Sequence, residues 1–157
     1  MVEDPLYAKA RDTAFRFLAL RPHSEAEIRR KLKEKGSSGE VIARVMIRLK
    51  ELKYIDDATF ARGWAKSRAD GRLWGDRRIA AGLKEKGVPP EVIAETLAEI
   101  RLEIDEGEAL RQLLMKKLRG RDIITLDIRE KRRLAQMLAA RGFPPGLIFR
   151  ELKTGEG

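Results

Sequence analysis

Apolar residues recur three and four positions apart between runs of charge, the spacing of amphipathic helices. The pattern returns three times. Ser24 to Ile42 reads SEAEIRRKLKEKGSSGEVI, Gly75 to Ile93 reads GDRRIAAGLKEKGVPPEVI, and Glu130 to Ile148 reads EKRRLAQMLAARGFPPGLI. These stretches superpose without a gap. Ile28, Ile79 and Leu134 share one register, and Leu32, Leu83 and Leu138 another. Gly36, Gly87 and Gly142 follow, then Ile42, Ile93 and Ile148. A period of roughly fifty residues marks repeated supersecondary units stacked along an axis.

Local signals divide each repeat into helices. Pro22 stops a first helix over Tyr7 to Arg21. Ser24 with Glu27 forms a capping box for a second helix running to Lys35, with Ile28 and Leu32 inward and Arg29, Arg30, Lys31 and Lys33 outward. Gly36 supplies the left-handed residue that ends it. A third helix spans Gly39 to Lys53.

Asp56 caps the next helix, and Ile55 and Phe60 staple its start. Phe60, Ala61, Trp64 and Ala65 face inward, and the helix ends near Ala69 to Gly71. Trp74 is expected to staple to Ile79. Pro89 and Pro90 open the third helix of this repeat. Asp105 with Glu108, and Asp127 with Glu130, are further capping-box candidates. Arg121 to Leu126 reads as a loop, because an extended piece there would have no partner strand. A short helix over Gly146 to Lys153 closes the chain, and the TGEG tail is expected to fray.

The expectation is an all-α protein of nine helices in three tandem three-helix repeats, over residues 1–55, 56–104 and 105–157. One such unit buries too little surface to be very stable alone, so neighbours should support one another. Charged residues make up 38% of the chain and aromatic residues 6%, which suits an elongated solenoid with an aliphatic core better than a compact globule.

Chemistry enters mainly by exclusion. No cysteine is present, which removes disulfides and thiolate metal sites and fits a reducing cytoplasm. His23 is the only histidine; beside the Ser24 cap it reads as structural, and a zinc site would need almost all carboxylates. Asp56 and Asp57 diverge on a helix, and capping explains Asp56. There is no P-loop or dinucleotide fingerprint. No catalytic, cofactor or metal residue is assigned, and no cofactor is expected. No apolar run reaches membrane-spanning length, and the first dozen residues lack the apolar core of a secretory signal.

The net charge of +9 points to a polyanionic or acidic partner. Its distribution is informative. Residues 1–55 hold thirteen basic and eight acidic side chains, residues 56–100 eight of each, and residues 101–157 thirteen and nine. In the middle repeat all eight cations lie on the first two helices, while Glu91, Glu95 and Glu99 line one face of the third. A glycine between helices two and three resembles a helix-turn-helix. Yet a third helix carrying three glutamates would be repelled by phosphates, so a polyanion should meet helices one and two. For any single cation, a solvated face with i,i+4 pairs remains the simpler account.

From Tyr54 to Leu97 the chain resembles the most characteristic segment of the RecX family of bacterial recombinase regulators. The matching features are Ile55-Asp56-Asp57, Phe60-Ala61, Ser67-Arg68, Gly75, Arg77-Arg78-Ile79, Leu83 and Lys86-Gly87. Ser24 to Leu32 with Lys35-Gly36, and Arg141-Gly142-Phe143 with Ile148, match in the outer repeats. The resemblance implies a curved repeat protein, not an enzyme, that binds the RecA nucleoprotein filament in its groove and inhibits ATPase, strand-exchange and co-protease activities. DNA, single- or double-stranded, would be a secondary partner; no membrane is involved, and a cytoplasmic monomer is expected.

Phe60, Trp64, Ile79 and Leu83 would be core. Candidate contacts to RecA or DNA are Arg29, Arg30 and Lys33; Arg62, Lys66, Arg68, Arg72, Arg77, Arg78, Lys84 and Lys86; and Arg132 and Arg133. Arg68, one turn beyond Trp64, is either a surface contact or half-buried and structural. Asp76 stands where the family often has proline. A stand-alone DNA-binding protein and a scaffold for another acidic protein remain the alternatives.

Overall fold

The computed structural model describes residues 3–153, so the expected fraying of the TGEG tail lies outside the described residues. Among the described residues nine α-helices follow in order: α1 (Pro5–Leu20), α2 (Glu25–Glu34), α3 (Gly39–Glu51), α4 (Asp57–Lys66), α5 (Asp76–Glu85), α6 (Pro90–Glu103), α7 (Glu106–Leu118), α8 (Ile128–Ala140) and α9 (Pro145–Lys153). A wide π turn over Ser67–Gly71 extends α4, and a 3-10 turn over Ile123–Thr125 stands where a loop was expected. Among the described residues there is no strand. No helix among them is long and apolar enough to cross a membrane.

Side chains at the helix starts do the capping. Asp4, Ser38 and Asp105 each accept from a backbone N–H of their helix's first turn. Reciprocal boxes form at Ser24 with Glu27 and at Asp127 with Glu130. Asp56 accepts from the N–H groups of Ala58 and Thr59. Asp57 accepts from the Glu25 N–H at 2.9 Å, so both aspartates of the pair are caps.

Helix stops repeat as faithfully. Gly36, Gly87 and Gly142 have φ of +92°, +78° and +97°. The residue after each glycine donates back to the carbonyl of an aligned leucine: Ser37 to Leu32, Val88 to Leu83 and Phe143 to Leu138, at 3.0–3.2 Å. This is a Schellman stop. All three leucines are fully buried. The helix expected to run to Lys53 stops earlier, because Lys53 itself takes φ +60° and Tyr54 donates to Leu49.

Packing divides the chain into two compact units, Met1–Arg62 with Leu83–Ile93, and Gly63–Gly82 with Ala94–Gly157. The first has an aliphatic core of Ile28, Leu32, Val45, Met46 and Leu49, flanked by Phe15 and Phe17. In the second, Leu110, Leu113, Leu138, Phe143 and Ile148 play that part.

His23 and Glu27 are buried polar members of the first unit. The His23 Nδ1 donates to the Arg21 carbonyl and Nε2 accepts from Lys31 Nζ, both at 2.8 Å. Burial pushes the imidazole below its ordinary value, and the nearby Arg21 and Lys31 charges add to this. Burial pushes the Glu27 carboxyl up, but donors from Arg21 and the Ser24 N–H, with the charge of Lys86, outweigh it and hold it at about 2.

Candidate functional site

The second unit gathers Trp64 and Trp74 with five of the middle repeat's eight cations, Lys66, Arg68, Arg72, Arg77 and Arg78. At the end of α4 the π turn inserts one extra residue into the helical spiral, a local widening often found at functional sites. Leu73 then takes φ +54°, and the chain doubles back so that the Trp74 N–H donates to the Arg68 carbonyl. The rings of Trp64 and Trp74 meet edge to face, 5.9 Å apart. Trp74 thus has Trp64 as its ring partner.

Three arginines surround this pair. The Arg68 guanidinium lies 4.6 Å from the Trp64 ring centre, Arg78 3.9 Å from Trp74, and Arg72 5.9 Å from Trp74. Such contacts contribute about 0.5–2 kcal/mol each, most when water is excluded. Arg68 donates to Ser67 Oγ, while its Nε is buried without a partner. Its pKa is lowered, first by burial and then by the charge of Arg72. The two roles held open for Arg68 resolve in part: it is half-buried against tryptophan.

A close backbone approach fixes the next element. The Gly75 N–H donates to the Arg141 carbonyl at 2.8 Å, and the Arg77 N–H to the Gly142 carbonyl at 3.0 Å. A Cβ on Gly75 would stand 2.4 Å from the Gly142 backbone, so neither position has room for a side chain. The first turn of α5 is held from a second side as well. Glu106 accepts from the Asp76 N–H at 2.7 Å, and Arg101 pairs with Asp76 at 2.6 Å. Burial raises the Glu106 pKa, with Asp76 N–H donation opposing it.

These constraints bring Arg72 and Arg78 beside the C-terminal ends of α7 and α8. The result is an open cleft of about 720 Å³, floored by Trp74 and Leu113 and lined by Arg72, Arg78, Lys116, Lys117, Arg119 and Arg141. No acid lines it. Among the described residues none of the six cations is ion-paired; Arg141 donates instead to the Arg72 carbonyl at 3.0 Å. Lys116, Lys117 and Arg119 also offset the negative end of α7. Arg72 follows directly on the π turn that ends α4, whereas Arg78 lies in the first turn of α5 and answers to no helix C-terminus. Like charges converging in one concavity raise the local potential and favour an anionic ligand.

The remaining candidates fare differently. Arg29 pairs with Glu25 at 2.9 Å, Arg30 with Glu34 at 3.9 Å, Lys66 with Glu103 at 3.4 Å, and Lys86 with buried Glu27 at 3.5 Å. Lys33, Arg62, Arg77, Lys84, Arg132 and Arg133 are exposed and lie outside the cleft. Sequence reasoning missed Lys116, Lys117, Arg119 and Arg141. The first three stand in a visible run, KKLRGR, whose density was the available signal. Arg141 reaches the cleft through the Gly75–Gly142 contact, which no local pattern announces.

Among the described residues no group of acidic or histidine side chains is placed to hold a metal ion. Tandem helical repeats with capping carboxylates at their helix starts define an all-α protein of the tandem three-helix class.

Comparison with known proteins gives that class a family. RecX first, second and third three-helix domains match residues 10–49, 56–97 and 104–152. The chain is 38% identical over 136 residues to regulatory protein RecX of Mycobacterium sp. strain JLS, covering 85% of this chain and 74% of the relative. It is 34% identical over 147 residues to regulatory protein RecX of Thermobifida fusca, covering 94% and 78%. The crystal structure of RecX from Lactobacillus salivarius superposes with a TM-score of 0.81 at 20% identity, over 95% of this chain and 97% of that one. The chain belongs to the RecX family of regulatory proteins.

Proposed function

We propose that this chain regulates the RecA recombinase by binding the RecA–DNA filament and inhibiting its ATPase, strand-exchange and co-protease activities. Family membership supports the recombinase as the target. The observation that carries a filament-bound role is the cleft of six cations without ion pairs, which suits phosphates or an acidic protein surface. In this reading the protein is a cytoplasmic monomer without catalytic activity. It lies in the filament groove, bridges successive protomers and gains further attraction from nearby DNA phosphates, whether single- or double-stranded. Occupying the groove obstructs partner DNA or the protomer rearrangement that nucleotide turnover requires.

The test is the single-stranded-DNA-dependent ATPase rate of RecA, with this protein added far below one molecule per nucleotide. At that ratio masking of DNA by a basic protein cannot account for a large effect. A falling rate supports the filament reading. An unchanged rate with bare DNA still bound supports a stand-alone DNA-binding protein, the reading the cleft would favour without a recombinase.

A further inference from the structure

The last two helices carry a second concavity, of opposite character. Between α8 and α9 runs a groove of about 650 Å³ whose walls are almost wholly apolar. Ile148 and Leu152 form its buried floor, and Ala135 and Ala139 line the α8 side. Ile128 and Phe149 stand at its edges, 70% and 60% exposed, so two of the chain's large exposed hydrophobic residues converge on one site. The charged residues along it, Lys131, Arg132 and Lys153, are all basic. Lys153 Nζ lies 4.2 Å from the Phe149 ring centre.

The repeat register shows that this groove belongs to the third repeat and is not a by-product of the fold. Ala135 and Ala139 occupy the positions of Arg29 and Lys33 in the first repeat, and Ala139 that of Lys84 in the second. Phe149 stands where the other repeats have the exposed Ala43 and Ala94. Lys131 stands where they have Glu25 and Asp76, which serve in ion pairs with Arg29 and Lys50 and with Arg101. At Ala139 the lysine of both other repeats is replaced, at Ala135 the charge of the first repeat only, since the second has Ala80 there; a phenyl ring stands on the surface, and Lys131 reverses the sign at its position. An exposed aromatic beside a well-formed apolar cleft is the usual anchor of a protein interface.

We infer that the α8–α9 groove docks an amphipathic helical segment of a partner protein, with an apolar stripe flanked by carboxylates. The stripe would lie over Ile148 and Leu152 against Phe149, and its acids would face Lys131, Arg132 and Lys153. This is the helix-in-groove mode of recognition. The inference stands on the groove alone and does not depend on the recombinase reading.

The test uses the full chain and a fluorescein-labelled synthetic helical peptide with leucines at i, i+4 and i+7 flanked by glutamates. A second peptide carries lysine at each glutamate. Fluorescence anisotropy should show the glutamate peptide binding at least tenfold more tightly than the lysine peptide. Phe149→Ala, and Ala139→Lys, which restores the lysine of the other repeats at an exposed position, should each weaken it at least fivefold while circular dichroism stays unchanged. Equal binding of both peptides, no binding, or indifference to both substitutions overturns the proposal. So does sedimentation showing a dimer that Phe149→Ala dissolves, since the occupant would then be a second copy.

Discussion

The Arg78 guanidinium sits 3.9 Å from the centre of the Trp74 ring, whereas its neighbour Arg77, also exposed, lies outside the basic cleft. Adjacent helical residues diverge, so the two should separate functionally. Arg78→Glu is expected to weaken single-stranded DNA binding about tenfold at low salt and to reduce the salt slope by about one. Arg77→Glu should change affinity less than about threefold, since exposed charges contribute little singly. Equilibrium titrations at several salt concentrations decide this. A larger effect from Arg77 would place the binding surface elsewhere.

Gly75 and Gly142 predict a steep cost for one methyl group. Gly75→Ala puts a Cβ 2.4 Å from backbone, and Gly142→Ala adds a left-handed φ to a 2.4 Å contact with the Arg78 nitrogen. Each should cost more than about 3 kcal/mol, because rigid backbone has to move. Gly36→Ala keeps the left-handed φ but meets nothing within 4 Å. Its cost should be about 1–2 kcal/mol. Urea melts of the three variants would show equal losses if the Gly75–Gly142 approach does not persist in solution.

Glu27 should make the protein acid-sensitive. Its folded pKa of about 2 lies below the ordinary 4.5. The stabilisation is therefore present above the unfolded value and is lost as pH falls from about 4.5 toward 2. At 1.36 kcal/mol per unit the shift sets an upper bound near 3 kcal/mol; partial exposure of Arg21 reduces this to about 2 kcal/mol. Glu27→Gln should cost roughly that amount at pH 7 and flatten the acid limb of a stability–pH curve. An unaltered acid limb would remove Glu27 from this role.

His23, the chain's only histidine, gives one unambiguous imidazole signal. Burial lowers its folded pKa below the ordinary 6.5, so the unfolded chain takes up its proton first. Stability should then decline as pH drops below about 6.5. NMR should find a midpoint under 6.5 and the Nδ1–H tautomer in the neutral form. A midpoint at or above 6.5 would contradict the burial described for the ring.

Much of the helical frame was legible because its rules are short-range. The boxes at Ser24–Glu27 and Asp127–Glu130 and the stop at Gly36 each depend on residues three to six apart. The cleft was not legible for the opposite reason. Arg72 and Arg141 are 69 positions apart in sequence, yet a side chain of one bonds the backbone of the other. The Arg30–Glu34 pair is short-range, four positions along α2, whereas the chain reversal that sets Trp74 beside Arg78 is not written in such a spacing. Lys86 illustrates the same limit, since its partner Glu27 comes from the preceding repeat.

The Leu32, Leu83 and Leu138 stops are written in carbonyls and a glycine torsion, with one buried leucine apiece. Nothing on the outward faces takes part in ending the helix. Each copy can therefore exchange its surface wholesale, cationic in one and greasy in another, without losing its length or its turn. Duplication of such a unit yields interchangeable mounts, on which different contacts can evolve one at a time while each helix stop stays the same.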